Sequence, residues 1–353
     1  MTLAVLAAPP ATFPPAGAPV AAPDLLAQSR VALFEGRITQ AYRLLEEARP
    51  VLSKNDEWLK TSALVDLALE RPFRAAAELS RIQRPDAVTA ARLRSILRYQ
   101  GADPLDVPFA PSGFRWPDLP GQLLRGVISL TPAPEGNLVL LTSSQVLLVN
   151  PQGRILAAQN LPGGRDLTLD PNGLPLALGE AAVFRANHTI PLPDAIQKPR
   201  SVAASPGGNL LVLDGREPAV FVLDAAGKVL GKKVLALPDP WKIRTDAVGR
   251  VYILDRRTRT VHVYGADLIP LTTIDPSKAG IDIRRADDLQ VDFAGDVVIL
   301  DGRRHQVSMF TLKGRLLGDS NRAAARMDAF GWNGRGSFYF LDGHDLYVGK
   351  VSL

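Results

Sequence analysis

Four aspartates recur at one position of a repeated segment, and a ring of four carboxylates would suggest metal binding. Each aspartate follows a glycine and five residues that are mostly β-branched, aromatic or leucine, and the four are Asp214, Asp255, Asp301 and Asp342. The repeat places one carboxylate at the end of a strand in each unit, where aspartate most simply accepts hydrogen bonds from loop backbone N–H groups. We therefore interpret the four as structural residues, and we expect no metal and no cofactor.

Arginines follow these aspartates and form the second candidate for chemistry. Guanidinium groups bind carboxylates and phosphates through paired hydrogen bonds, so such loops predict an anion-binding surface. Further basic residues precede the next repeat, among them Arg284 and Arg285. The candidate binding residues are Arg216, Arg256, Arg257, Arg259, Arg284, Arg285, Arg303, Arg304 and His305.

Other catalytic arrangements are poorly represented. The chain has no cysteine, which excludes thiol catalysis, disulfides and zinc–thiolate sites. Its four histidines lack a metal-ligand spacing, and no Gly-x-Ser-x-Gly elbow or phosphate-binding loop is present. We predict no catalytic residue.

The elements that position these residues follow from the repeat itself. Four strong copies, residues 208–214, 249–255, 295–301 and 336–342, follow two weaker ones at 136–142 and 173–179. A period of about 40 residues with several short strands in each unit is typical of a β-propeller blade. The sequence therefore predicts a mainly β protein with a six-bladed propeller over residues 121–353.

The loops between the second and third strands of each blade open on the same face as the segments between blades. The candidate arginines therefore gather on one face, where Asp282, Asp287 and Asp288 partly cancel their charge. A solvated rim without a partner is the alternative interpretation of this face.

Ring closure requires one more strand. The sixth repeat supplies three strands before the sequence ends, and an unpaired edge strand invites aggregation. We predict that a segment within residues 112–125 supplies the missing strand.

The segment 298–310 resembles an NHL repeat. His305 stands where that family has its histidine, and Phe310 stands where it has its phenylalanine, as Tyr264 does one blade earlier. The resemblance covers about two thirds of the chain, counted as the ratio of residues 121–353 to the whole. It implies a six-bladed propeller used mostly for protein or RNA recognition, with a few lactonase or lyase relatives.

Residues 24–100 show helical leucine and alanine periodicity. Ala32, Gly36, Ala41 and Ala48 recur as small residues, and Ala76 repeats the position of Ala41 in a second unit. This pattern resembles tetratricopeptide repeats, and a generic helical bundle is the alternative. Residues 101–120 are proline-rich and read as a semi-rigid linker.

Residues 1–23 are mostly Ala, Pro, Val and Leu, which predicts a disordered segment and a possible signal-peptide remnant. We therefore expect an extracytoplasmic, periplasmic or secreted, bacterial protein, with a cytoplasmic location as the alternative. No apolar run is long enough for a membrane span. The net charge of +5 is not concentrated as in a dedicated DNA-binding protein.

Both predicted folded units are surfaces that recognise other molecules. We expect a non-enzymatic scaffold that binds a protein partner, and an acidic one. The first alternative is a metal-dependent lactonase or lyase, which would use channel carboxylates such as Asp170, Asp246 or Asp292. The second is an RNA-binding NHL propeller, which the loops after the repeated aspartates disfavour because they contain no aromatic residue for base stacking.

Overall fold

The computed structural model describes most of the two predicted folded units. It describes residues 21–69, 71–86, 89–90, 93, 114–115, 124, 126–133, 137–150, 152–170, 174–185, 188–292, 295–319, 328–332, 337–342 and 345–350. The predicted N-terminal segment at 1–23 and the predicted linker at 101–120 lie almost entirely outside these residues.

The helices that precede the sheet domain in the described residues include α1 (Ala22–Phe34), α2 (Ile38–Leu52), α3 (Asp56–Ala68) and α4 (Pro72–Ser80). The side chain of Asn55 caps α3 by accepting hydrogen bonds from the backbone N–H groups of Glu57 and Trp58, at 2.9 and 3.1 Å. None of the described helices is long and apolar enough to cross a membrane.

Small residues let these helices approach one another closely. Ala32, Ala41, Ala48 and Ala76, which the sequence singled out, are all at most 2% exposed. Trp58 is 1% exposed, and its indole N–H donates to the carbonyl oxygen of Leu45 at 3.1 Å. The helical unit therefore has a packed core of its own.

The remaining chain forms six four-stranded antiparallel sheets, so the predicted six-bladed propeller is confirmed. Blade 1 contains β2 (Val127–Pro132), β3 (Leu138–Thr142), β4 (Gln145–Val149) and β5 (Ile155–Asn160). Blade 2 contains β6 (Asp166–Leu169), β7 (Pro175–Leu178), β8 (Ala182–Arg185) and β9 (His188–Pro191). Blade 3 contains β10 (Pro199–Ala204), β11 (Leu210–Asp214), β12 (Ala219–Leu223) and β13 (Val229–Val234). Blade 4 contains β14 (Pro240–Thr245), β15 (Val251–Asp255), β16 (Thr260–Tyr264) and β17 (Pro270–Ile274). Blade 5 contains β18 (Ala286–Val291), β19 (Val297–Asp301), β20 (Gln306–Phe310) and β21 (Leu316–Asp319). Blade 6 contains β22 (Ala329–Trp332), β23 (Ser337–Asp342), β24 (Asp345–Lys350) and β1 (Phe114–Arg115).

We call the strands of each blade a to d, from the inside of the ring outwards. Each strand a contacts the strands a of both neighbouring blades, so the six inner strands form a closed ring. Each strand b of blades 3 to 5 is buried along its whole length, which explains its continuous apolar sequence. Strand d of blades 1 and 3 is exposed along nearly all of its length.

The sixth blade is completed by a strand that precedes blade 1 in the sequence. Its outermost strand, β1, pairs antiparallel with β24, so that Phe114 lies opposite Val348 and Arg115 opposite Tyr347. This pairing confirms the prediction that a segment within residues 112–125 closes the propeller.

The helical unit packs against blade 4. Val248, in the a–b turn of that blade, is 3% exposed and belongs to the hydrophobic core of the helices. Gly36 follows α1 with a φ of +78°, and a Cβ atom placed on it would lie 3.6 Å from the Cβ atom of Ala266 in the c–d turn. The helices therefore cover the end of blade 4 that carries these two turns.

Candidate functional site

One end of the propeller, which we call the loop face, carries most of the candidate residues. It consists of the b–c loops (residues 215–218, 256–259 and 302–305) and the segments that precede blades 3, 4 and 5 (residues 192–198, 235–239 and 275–285). Backbone hydrogen bonds join these two sets, since the N–H groups of Gly215, Arg256 and Gly302 donate to the carbonyl oxygens of Lys198, Asp239 and Arg285 at 2.9, 2.9 and 3.0 Å.

Three of the repeated aspartates hold the loop face together. The carboxylate of Asp214 accepts hydrogen bonds from the backbone N–H groups of Gln197 and Lys198, each at 3.0 Å, and of Arg216 at 2.9 Å. It is 2% exposed, so these bonds replace the water that the carboxylate loses on folding.

Asp255 and Asp301 make the same contacts in the next two blades. Asp255 accepts from the backbone N–H groups of Asp239, Arg257 and Thr258. Asp301 accepts from those of Arg284, Arg285, Arg303 and Arg304. Asp342, the fourth repeated aspartate, is only half-buried and lies opposite Asp345 between β23 and β24.

Two carboxylates neutralise five of the candidate arginines. Asp282 lies 3.7 Å from Arg259, 2.8 Å from Arg284 and 3.0 Å from Arg304. Asp287 lies 3.0 Å from Arg256 and 2.6 Å from Arg285. Asp288, which the sequence placed on the same face, lies in the inner strand β18 instead and is 8% exposed.

The remaining three arginines have exposed side chains and no ion pair among the described residues. Arg216, Arg257 and Arg303 each follow a repeated aspartate by two positions. The backbone N–H of each donates to that aspartate, at 2.9, 2.9 and 3.0 Å. The structure therefore divides the predicted basic surface into five paired cations and three that face solvent.

An aromatic side chain lies beside the paired arginines. The guanidinium carbons of Arg256 and Arg200 lie 4.5 and 5.4 Å from the centroid of the Trp241 ring. The indole N–H of Trp241 donates to the carbonyl oxygen of Asp287 at 3.0 Å. Sequence reasoning considered only the aromatic content of the b–c loops and missed Trp241, which lies on strand a of blade 4.

His305 and Arg259 are the last residues of their b–c loops, with φ angles of +53° and +61°. Both therefore adopt the left-handed conformation, which is uncommon for residues other than glycine. The Nη1 atom of Arg259 also donates to the carbonyl oxygen of Ile283 at 2.7 Å. Arg259 lines a cleft of about 610 Å³ formed by residues 258–260, 275–277 and 280–283.

The central channel contains a second group of polar residues. Six strand-a residues occupy equivalent positions, each opposite the leucine that comes just before the last position of the repeat. They are Ser129, Asp166, Ser201, Lys242, Asp288 and Ala329. They therefore form one level of the ring of inner strands.

Asp166 is the centre of this level. It accepts a hydrogen bond from Lys242 Nζ at 2.5 Å and two from Arg244, at 2.8 and 3.1 Å. The hydroxyl of Ser201 and the backbone N–H of Val202 complete its contacts. Lys242 and Arg244 belong to blade 4 and Asp166 to blade 2, so these ion pairs cross the channel in front of blade 3.

The channel charges largely balance one another. Arg244 also lies 3.3 Å from Asp288, which gives two cations and two carboxylates in contact. Burial alone would raise the pKa of Asp166, but Arg244 and Lys242 hold it well below the usual value. Burial raises the pKa of Asp288, and the same two cations oppose that effect.

The sequence anticipated other channel carboxylates. Asp170, Asp246 and Asp292 follow the inner strands, and each caps an a–b turn by accepting backbone hydrogen bonds. Across the ranges that the structure describes, no three His, Asp or Glu side chains are grouped so that they could hold a metal ion. Sequence reasoning missed the cluster of Asp166, Lys242 and Asp288. These charged residues occupy matching positions in inner strands that are otherwise mostly apolar, and this pattern could have indicated the cluster.

No protein-family model matches this chain, and no curated protein matches it. Many solved structures are similar. A streptogramin B lyase has 10% identity and a TM-score of 0.50, over 64% of this chain and 94% of that chain. A structural genomics protein of unknown function from Bacteroides thetaiotaomicron has 13% identity and a TM-score of 0.50 over 65% and 70% of the two chains.

The β-propeller domain of Cps50 (Swd1) from Myceliophteria thermophila has 14% identity and a TM-score of 0.49, over 64% of this chain and 84% of that chain. At identities this low, structural similarity shows a common fold and says nothing about activity. The chain is therefore similar in fold to solved propellers that include a lyase and a protein of unknown function.

Proposed function

We propose that the chain is a non-enzymatic binding protein that recognises a protein partner through the loop face. The observation that carries this proposal is the distribution of unpaired charge. The channel cations contact carboxylates, whereas Arg216, Arg257 and Arg303 are exposed on the loop face without an ion pair in the described ranges. Exposed guanidinium groups are suited to an acidic partner.

The position of the helices supports the same face. The helical unit covers the turns of blade 4 at the end opposite the loop face, as the burial of Val248 indicates. A partner on the loop face would therefore not compete with the helices, and the two units can act as separate recognition surfaces. Such an arrangement suits a scaffold.

We further propose that the blades are NHL-like repeats, that the helices are tetratricopeptide-like, and that the chain is exported. The motif around His305 and Phe310 supports NHL-like repeats, and the buried alanines of α1 to α4 support tetratricopeptide-like helices. The composition of residues 1–23 supports export from a bacterial cytoplasm.

A photo-crosslinking amino acid tests which face binds. It replaces Glu217, which is exposed in a b–c loop, or Ala226, which is exposed in the c–d turn of the same blade. In cells that naturally make the protein, we expect a discrete protein adduct from position 217 and none from position 226. Equal adducts from both positions, or none from either, would contradict the proposal.

A metal-dependent lactonase or lyase is the competing function, and elemental mass spectrometry of the purified full-length chain separates the two. A stoichiometric metal ion that chelation removes without lowering the melting temperature would favour the enzyme. We expect no such ion, because the channel carboxylates Asp166 and Asp288 both contact cationic side chains of the chain itself.

A further inference from the structure

The three exposed arginines of the loop face form a regular series. Arg216, Arg257 and Arg303 occupy one position of the repeat in blades 3, 4 and 5, which are consecutive in the ring. Each blade of a six-bladed ring turns its loops by about one sixth of a circle relative to the previous blade. The three cations therefore follow an arc of about one third of a circle on the loop face.

The backbone that carries each arginine is fixed before any ligand arrives. The buried carboxylates of Asp214, Asp255 and Asp301 hold the N–H groups of these three residues and also the segment that precedes each blade. Binding would therefore order only the side chains, so less conformational entropy is lost than with a mobile loop.

The paired arginines provide a contrast within the same face. Asp282 and Asp287 already contact five guanidinium groups, so an added carboxylate would have to compete with those contacts. Arg216, Arg257 and Arg303 have no such competitor among the residues described. Among the candidate arginines of this face, they are the ones that can engage a new anion without breaking an ion pair with a described residue.

We propose that Arg216, Arg257 and Arg303 bind an extended acidic polypeptide segment that runs along the arc from blade 3 to blade 5, with one carboxylate engaged at each blade. This inference rests on the proposed function and specifies the chemistry of its partner. A compact acidic patch would reach one or two of the arginines, whereas an extended segment can contact all three.

A nucleic acid fits the same arc less well. Single-stranded nucleic acids rely on aromatic side chains for base stacking, and the three b–c loops contain no Phe, Tyr or Trp. Trp241 is nearby, but Arg256 and Arg200 lie over its ring, and its N–H group is bonded to Asp287. Carboxylates of a polypeptide need only the guanidinium groups.

The test measures binding of labelled poly-L-glutamate to the full-length chain by fluorescence anisotropy at low salt. Replacing Arg216, Arg257 and Arg303 together by Gln should raise the dissociation constant at least about tenfold, because three charge-assisted contacts are lost. The backbone N–H bonds to the aspartates remain, so the melting temperature should stay the same.

The opposite face offers a matched control. Arg154, Lys228 and Arg315 each follow a left-handed glycine in the c–d turns of blades 1, 3 and 5, and all three are exposed. Replacing them together by Gln changes the net charge by the same amount. We expect the dissociation constant of poly-L-glutamate to change less than about threefold, since only long-range attraction is weakened.

The outcomes are distinct. Equal weakening in the two triple variants would mean that only overall charge matters, and this would overturn the inference. If poly-L-glutamate does not bind while position 217 still forms an adduct, the inference of an acidic segment is wrong and the proposed binding function stands. Tighter binding of inorganic polyphosphate or single-stranded RNA than of poly-L-glutamate would also overturn it, in favour of a phosphate polymer.

Discussion

Asp166 is the carboxylate of the channel that contacts both cations of the cluster. Two cations of blade 4, Lys242 and Arg244, contact its carboxylate, and all three side chains are at most 10% exposed. Removing one partner from a buried ion pair leaves an uncompensated charge in a poorly solvated site. The resulting loss of stability is therefore expected to exceed the net stabilisation that the intact cluster provides.

We predict that Asp166→Asn lowers the free energy of unfolding at pH 7 by about 3–5 kcal/mol. Chemical denaturation of the full-length chain measures this change. Asp194→Asn is the control, because Asp194 is exposed in the same propeller and has no ion pair among the described residues. A loss below about 1 kcal/mol, as is usual for a surface substitution, would show that the cluster does not couple the blades.

The pH dependence of the same cluster has a definite sign. The folded-state pKa of Asp166 lies below its unfolded value, so its stabilisation is fully present above that unfolded value, which is about 3.9. The stabilisation is lost as the pH falls towards the folded-state pKa. Acidification below about pH 4 should therefore destabilise the native chain more than the Asp166→Asn variant.

Among the elements, α3 contains a carboxylate with the opposite behaviour. Asp66 is 2% exposed, and neither of its carboxylate oxygens has a hydrogen-bond partner among the described residues. Arg71 and Arg74 are 3.8 and 3.6 Å away and are themselves largely exposed. Burial therefore raises the pKa of Asp66 above its usual value, and the two arginines only partly oppose this effect.

We predict that Asp66→Asn raises the free energy of unfolding at pH 7 by about 1 kcal/mol, since a buried neutral amide costs less than a buried carboxylate without hydrogen bonds. The raised folded-state pKa means that the native chain gains stability as the pH falls through that pKa towards the unfolded value. At such low pH, the difference in the free energy of unfolding between the variant and the native chain should therefore disappear. Glu47→Gln, on the exposed side of α2, is the control, and thermal melts at several pH values measure both.

The elements were largely predictable from the sequence, and the pairings of their side chains were not. The repeat of glycine, apolar strand and aspartate predicted the blades, because each hairpin imposes the same local pattern. In contrast, Asp166 and Lys242 are 76 residues apart, and only the ring geometry brings them together. The charge count of the loop face likewise did not indicate which arginines Asp282 and Asp287 would neutralise, because that depends on distances of a few ångströms.

At the scale of the whole molecule, ring closure depends on the two-residue strand β1. A proline has no N–H group to donate to β24, so the full-length double variant Phe114→Pro, Arg115→Pro should leave the edge of that strand unpaired. We expect a lower melting temperature and a shift of the native size-exclusion peak towards aggregates. The alanine variant at both positions keeps the N–H groups and should remain closer to the native chain. Identical behaviour of the two variants would mean that the pairing does not close the ring.

The pairing of β1 with β24 also sets an order of events during synthesis. The ribosome makes β1 before every blade, whereas its partner β24 is the last strand described in the chain. Blades 1 to 5 must therefore emerge as an open arc, and β1 has to stay unpaired until β24 is available. Contacts between such distant segments form slowly, so the nascent arc presents unpaired strand edges for longer than a chain with local pairings would. We therefore expect this closure to make the chain depend on chaperones during translation, rather than to lower the stability of the folded protein.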